Sequence, residues 1–331
     1  MTSIRNRGRW IGLASLGALV AACGSSSPST SSSGTAKCRV VDMVMAQLPS
    51  TFDGPIVAGV KAEAQKLGVC VTVNAQGPNQ QSATGQVPYL EAAVATHPDA
   101  LIIHPADPQA LLGSLAPFFS AHIPVLTTLS TLNNSQVTAS WVGNYTAEGV
   151  ATADAMGPLM NSKGVVQLME YDLTDPAGQA RVNGFKQEMA AKFPNVTFLS
   201  PDVTGPNAVV SAAHSKADLI AHPDITGFFG NGSIVGIGII AGVGDQAAQG
   251  KLVIGTDGGD QALVASMNEG RVQVLSCDDT YQEGVQAMQA LVNIWAGKPY
   301  TKATSLSEDV TFTKSQDTNA NVTACIARAV A

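Results

Sequence analysis

The five cysteines of the chain, Cys23, Cys38, Cys70, Cys277 and Cys325, are spaced for covalent linkage and not for metal binding. Zinc sites bring their ligands in close pairs, and no two of these cysteines lie within a few residues of each other. Setting Cys23 aside leaves an even set suited to disulfides in an oxidising compartment, with free buried thiols as the alternative. The histidines, His97, His104, His122, His214 and His222, also lack metal-ligand spacing and read as turn or surface residues. No metal and no cofactor is implied. Catalytic patterns are missing too: the sequence holds no GxSxG turn, no HExxH helix and no phosphate-binding loop. Asp278 and Asp279 are chain neighbours, which does not place an acid and a base across a substrate. The glycine-rich GIGIIAGVGD (236–245) follows the helix-like GSIVG and not a strand-to-helix turn, so it does not read as a nucleotide cradle. With 18 Lys+Arg against 25 Asp+Glu the net charge is −7, and no basic patch stands out to hold nucleic acid. What remains is reversible binding of a small molecule, with a secreted hydrolase as the formal alternative.

Cys23 has a different setting. Arg5, Arg7 and Arg9 precede the apolar run WIGLASLGALVAA in the charged-then-hydrophobic order of a secretory signal, and the run is too short to span a bilayer. The small residues directly before Cys23 resemble the bacterial lipobox, in which the signal is cut ahead of the cysteine and the thiol receives a diacylglycerol. This gives a signal peptide over 1–22, then a lipid anchor and flexible linker over 23–37, whose Ser, Thr and Gly bury nothing. An ordinary secretory signal with an incidental cysteine is the alternative. On the first reading the body is extracytoplasmic and touches the membrane through the lipid alone.

The elements that position any site come from the remaining residues, about 295 in number, enough for two domains of ordinary size. RVVDMVM, CVTVN, ALIIH and PVLTT read as strands; FDGPIVAGVKAEAQKLG, GQVPYLEAAVAT and PQALLGSLAPFFSAH read as helices between them. The rhythm restarts with VVQLME, VTFLS, ITGFFG and KLVIGT as strands. Alternation of this kind predicts an α/β fold with parallel sheets covered on both faces. Several residues also recur at one offset: Gly59, Lys61 and Glu63 return as Gly184, Lys186 and Glu188, and His97-Pro98-Asp99 returns as His222-Pro223-Asp224. Further on, PVLTTL (124–129) lies against LVIGTD (252–257), pairing Leu129 with Asp257. Two halves of shared internal topology would enclose a crevice at the carboxyl ends of their strands, where open α/β sheets bind ligands.

In order along the chain, KLGVCVTVNAQG, HPDALIIHPADPQAL, HIPVLTT, ARVNGF, AHPDITGFFGNGS, VIGTDGG and YQEGVQAMQALVNIWAG resemble the sugar-type periplasmic binding proteins, close to those for ribose. The resemblance runs from about Cys38 to Val310. It implies a type I periplasmic binding protein fold, two Rossmann-like lobes joined by a three-stranded hinge that closes on a solute. It also implies a monomeric receptor that serves an ABC transporter permease and is not an enzyme. A ligand sensor presented to a membrane receptor or kinase is the alternative. The lobes expected are 38–143 with 279–305 and 146–276 with 308–331, with crossings near Asn144, Cys277 and Ser307.

Carried over position by position, the family's pocket falls on Phe52 as an apolar plate, Asp53 where a second aromatic is common, Arg181 as a forked donor, and Asp257. Asp278 replaces a family glutamine, and Asn231 is preferred over Gly232 as the contact in its loop. Where relatives carry an Asp-Arg pair, this chain has Leu129-Ser130, so one wall loses a carboxylate and a guanidinium. A ribose-like ligand would leave hydroxyls unpaired there, at about 1–3 kcal/mol each. The ligand expected is therefore small, polar and mostly neutral, a polyol or modified sugar, with a cation left open by the carboxylates that outnumber Arg181. Removing Arg181 is expected to weaken binding and leave the fold intact. The disulfides expected are Cys38–Cys70, at the starts of neighbouring parallel strands, and Cys277–Cys325, where the tail returns to the second lobe.

Overall fold

The computed structural model describes residues 38–173, 175–306, 310–316 and 319–329. Cys23, the expected signal peptide and linker, and Ser307 lie outside the described residues.

The chain first lays down β1 (Arg39–Val44), α1 (Asp53–Lys66), β2 (Val71–Gln76), α2 (Ala83–Thr96), β3 (Ala100–Ile103), α3 (Leu112–Ser120), β4 (Val125–Thr128) and β5 (Ala139–Gly143). It then forms α4 (Tyr145–Leu159), β6 (Lys163–Glu170), α5 (Pro176–Lys192), β7 (Asn195–Phe198), β8 (Asp202–Val203), α6 (Ala208–Ala221), β9 (Ile225–Asn231), α7 (Ser233–Val243), β10 (Val253–Asp257), α8 (Gln261–Asn268) and β11 (Val274–Cys277). Two returns complete it: α9 (Thr280–Trp295) with β12 (Ala303–Leu306), then β13 (Val310–Thr313) with α10 (Ala320–Ala329). One sheet has the order β12-β5-β4-β3-β1-β2, and the other β13-β11-β10-β9-β6-β7, with β8 beside β6. The chain thus passes between sheets after Gly143, after Cys277 and between Leu306 and Val310. Among the described residues no helix is long and apolar enough to cross a membrane.

Successive strand residues point to opposite faces, so the unbroken apolar strands feed two cores per sheet. Val41, Met43 and Ile102 pack under α1 and α9 with Ile56, Val60 and Leu291, while Val44, Leu101 and Ile103 meet Leu90, Leu115 and Phe118 from α2 and α3. In the second sheet Phe228 and Ile254 join Val235 and Ile239 of α7, and Val166, Leu168 and Phe229 join Met156 and Phe185 of α4 and α5. Each such side chain contributes about 1.5–3 kcal/mol on burial.

The repeated glycines mark one device used twice. A Cβ at Gly59 would stand 2.2 Å from the Tyr281 carbonyl oxygen of α9, and one at Gly184 would stand 2.3 Å from that of Thr146 in α4. The partner helices answer with Gly284 and Gly149, each equally close to the facing backbone. These contacts clamp α1 to α9 and α5 to α4. The run GIGIIAGVGD serves a similar end, since Gly238 and Gly242 of α7 abut Ser211 and Ser215 of α6.

One strand departs from an all-parallel expectation. β13 runs antiparallel to β11, pairing Val310 with Cys277 and Thr313 with Val274. β12 lies parallel to β5 and so ends at the carboxyl edge of its sheet. The short link that follows enters the second sheet at the same edge, so the strand must run backwards. Disulfides join Cys38 to Cys70, directly ahead of the paired residues Arg39 and Val71, and Cys277 to Cys325 of α10.

Candidate functional site

A cavity of about 520 Å³ lies between the carboxyl ends of the two sheets. Strand after strand contributes its last residue or the one that follows: His104 after β3, Leu129 after β4, Tyr171 after β6, Gly232 after β9, Asp257 ending β10 and Asp278 after β11. Phe52 and Asp53 come from the start of α1, and Arg181 from the second turn of α5. Helices α1, α5, α7 and α8 all begin at this cavity. Their N-termini carry partial positive charge and unsatisfied N–H groups, which favours acidic residues there. Asp175 accordingly caps α5 by accepting from the Gly178 amide at 2.8 Å, and Asp260 caps α8 by accepting from the amides of Ala262 and Leu263.

Arg181 is the centre of the second wall, with only 4% of its surface exposed. Its Nε donates to Glu148 at 2.8 Å, one terminal nitrogen donates to Asn231 at 3.0 Å and faces Asp257 at 3.5 Å, and the other donates to Asp278 at 3.2 Å. Its guanidinium carbon lies 5.0 Å from the centre of the Tyr145 ring. Burial opposes the charge, but the surrounding carboxylates outweigh it and hold the guanidinium far above its usual range. Burial lifts the Asp257 carboxyl above the usual carboxylate range; Arg181 opposes this and the charge of Asp278 adds to it. Asp257 also accepts from the Gly232 amide at 2.6 Å, whereas Oδ1 of Asp278 accepts no hydrogen bond among the described residues. Glu148 reaches Arg181 because Gly149 lets α4 touch α5.

The first wall holds a buried carboxyl–imidazole pair. Nδ1 of His104 meets Oδ1 of Asp53 at 2.7 Å, and Oδ2 of Asp53 accepts from the Gln47 amide at 2.9 Å. Burial disfavours the imidazolium, and Asp53 more than offsets it, so the His104 pKa lies above 6.5. His104 is 9% exposed and lines the cavity, which corrects its reading as a turn or surface residue; the strand alternation of β3 turns it inward beside Asp53. A raised folded-state value stabilises the protein fully below about pH 6.5, and that stability is lost as pH rises through the folded value. In Asp53→Asn the partner charge is gone. The His104 resonance in a histidine NMR titration should then move to a lower midpoint, and the loss of stability as pH rises above about 6.5 should flatten. An unchanged midpoint would remove Asp53 as the cause.

Phe52 is half-buried and serves both surfaces, touching the core under α1 and facing the cavity. Leu129 lines the cavity, but its backbone carries more of the structure: φ is +58°, Glu283 accepts from its N–H at 2.7 Å, and its carbonyl accepts from the Tyr145 hydroxyl at 3.0 Å. A non-glycine residue in this region persists where its surroundings hold it. Glu283 sits in the first turn of α9 and Tyr145 at the start of α4, so Leu129 is pinned to two of the crossings.

Two expected contacts stand elsewhere. Asn231 is fully buried and does not line the cavity; it is the last residue of β9, and its amide oxygen is taken by Arg181, while Gly232 holds the cavity position. Ser130 is buried outside the cavity, in the turn that follows Leu129. His104, Asp175 and Asp260, which the sequence did not select, also line the site, as do Tyr171 and Tyr145, whose places near strand ends and crossings left a structural and a functional reading equally open. Tyr171 donates to Asp175 at 2.5 Å, and burial followed by that carboxylate drives its pKa well above 10. Asp278 came from the family resemblance; position directly after a parallel strand, which it shares with His104 and Tyr171, would have selected those two as well.

Residues 41–299 match the model of the family described as periplasmic binding protein domain. The chain is similar to the ribose import binding protein of Bacillus subtilis (strain 168), 23% identical over 276 residues that cover 83% of this chain and 88% of that one. It shares its fold with a solute-binding protein of an ABC transporter from Agrobacterium vitis, solved with α-D-tagatopyranose, at 21% identity and a TM-score of 0.80, covering 87% of this chain and 98% of that one. A carbohydrate transporter solute-binding protein from Agrobacterium radiobacter in complex with D-arabinose is alike at 19% identity and a TM-score of 0.81, covering 87% and 99%. With its family model matched along most of the described body, the chain belongs to the periplasmic binding proteins.

Proposed function

We propose that the protein is an extracytoplasmic receptor that captures a small polyhydroxylated solute, a sugar or polyol, and delivers it to an ABC permease. The observation that carries this reading is a cavity walled from both sheets, with Phe52, Asp53 and His104 on one side and Arg181, Asp257 and Asp278 on the other. Acceptors and a forked donor opposite an apolar plate suit hydroxyls and the C–H face of a ring. The related proteins solved with sugars support the same class of ligand. In this reading the lobes are 38–143 with 279–305 and 146–276 with 308–331, and they close by bending at the three crossings. The receptor acts as a monomer held to the membrane by a lipid on Cys23, with residues 24–37 as its tether.

Binding to the folded state alone raises the melting point. A thermal-shift screen of sugars and polyols should therefore return at least one stabilising compound. Small-angle scattering with that compound at saturation should show a smaller radius of gyration. A screen without a single shift, or an unchanged radius, would contradict capture by closure.

A further inference from the structure

The charge around Arg181 does not balance. One guanidinium faces three carboxylates, from Glu148, Asp257 and Asp278, all buried. The other acidic residues of the cavity are compensated locally: Asp53 by His104, and Asp175 and Asp260 by the N-termini of the helices they cap. Asp279, next in sequence, is engaged by Arg328 and by the first turn of α9. Asp260 also keeps one oxygen, Oδ2, without a hydrogen bond among the described residues, but it is only half-buried; Asp278 is more enclosed and stands on Arg181. It is 6% exposed, it lines the cavity, and its Oδ1 accepts no hydrogen bond among the described residues while Oδ2 is held by Arg181. A buried carboxylate oxygen left without a donor is costly, and a charged donor satisfies it best. Hydroxyls of a neutral ligand could supply hydrogen bonds but not the missing positive charge.

We propose that the ligand carries a primary ammonium group beside its hydroxyls, an amino sugar or amino polyol, and that the ammonium is seated on Oδ1 of Asp278 with Asp257 at its flank. This rests on the sugar-class reading above and narrows it. Arg181 does not forbid the arrangement, because the group of one cation and three anions retains an excess of negative charge. Tyr171 and Phe52 then face the remaining carbon skeleton.

Matched pairs test the assignment on the full chain: 2-amino-2-deoxy-D-glucose against D-glucose, the corresponding galactose pair, and 1-amino-1-deoxy-D-glucitol against D-glucitol. Calorimetry should find a pair in which the amine binds at least tenfold tighter than its neutral partner. In Asp278→Asn that ratio should fall towards one. Should this variant fail to fold, the unmodified protein still decides the matter, because the ratio must collapse as pH rises and the amine loses its proton. Neutral partners that bind as well as their amines would overturn the ammonium site and leave the receptor reading standing. Failure of every member of every pair to bind, in a protein for which the broader screen also finds no ligand, would overturn both.

Discussion

Arg181→Ala is expected to lose about 3–5 kcal/mol of folding stability at neutral pH, together with ligand binding. The sequence alone suggested a contact that could be deleted without harm to the fold. The structure places three buried carboxylates on this side chain, and truncation would remove the cation they share. The sign of the pH dependence separates this cause from a simple loss of packing. A folded variant with uncompensated buried anions takes up protons more readily than its unfolded chain, so its stability should rise as pH falls. Urea melts at pH 7 and pH 5 measure this: the deficit against the unmodified protein should shrink at the lower pH. Equal deficits at both values would mean that the carboxylates are not the reason.

Replacing both Cys277 and Cys325 by alanine should lower stability by about 4 kcal/mol, the chain-entropy value for a loop of this size. The bond joins residues 48 apart and ties α10 to the end of β11. Among the described residues α10 is also held by Val322 and Ile326 against the core and by the contact of Arg328 with Asp279. Its amides should therefore exchange with solvent far faster in the variant, while those of β9 and β10 keep much of their protection. Denaturant melts and hydrogen exchange read the two effects. A variant that melts like the unmodified protein would show that packing alone holds the tail.

The apolar runs that became β1, β3, β4, β6, β9 and β10 were legible because strands buried on both faces carry continuous Val, Ile and Leu. β5, β12 and β13 were not, being short segments whose pairing depends on strands far away in sequence. The site divides in the same way. Asp257 and Asp278 were legible through the resemblance to the family's pocket, and they stand at the carboxyl ends of β10 and β11. Glu148 lies inside a helix, and only the glycine contact between α4 and α5 brings it to Arg181. Asn231 and Gly232 are adjacent, and a shift of one residue exchanges a wall position for a place behind it. The balance of charge could not be read from the motif positions, because Glu148, Asp175 and Asp260 belong to no motif that the sequence displays.

The route of the chain between the sheets also sets the order in which the molecule can be finished. β5 hands on to α4, which packs against α5 and β10, and the helix that covers the first sheet beside α1 is α9, made after β11. The first half to be synthesised thus waits until the second is nearly finished. Until residues 280–306 arrive, Val41, Met43, Ile56 and Leu126 lack their cover and the edge of β5 lacks its neighbour. The second sheet wants only β13 and α10 by then. A chain that crosses a membrane from its amino terminus would carry that uncovered face across first, and residues up to 306 would have to follow before the first half could close.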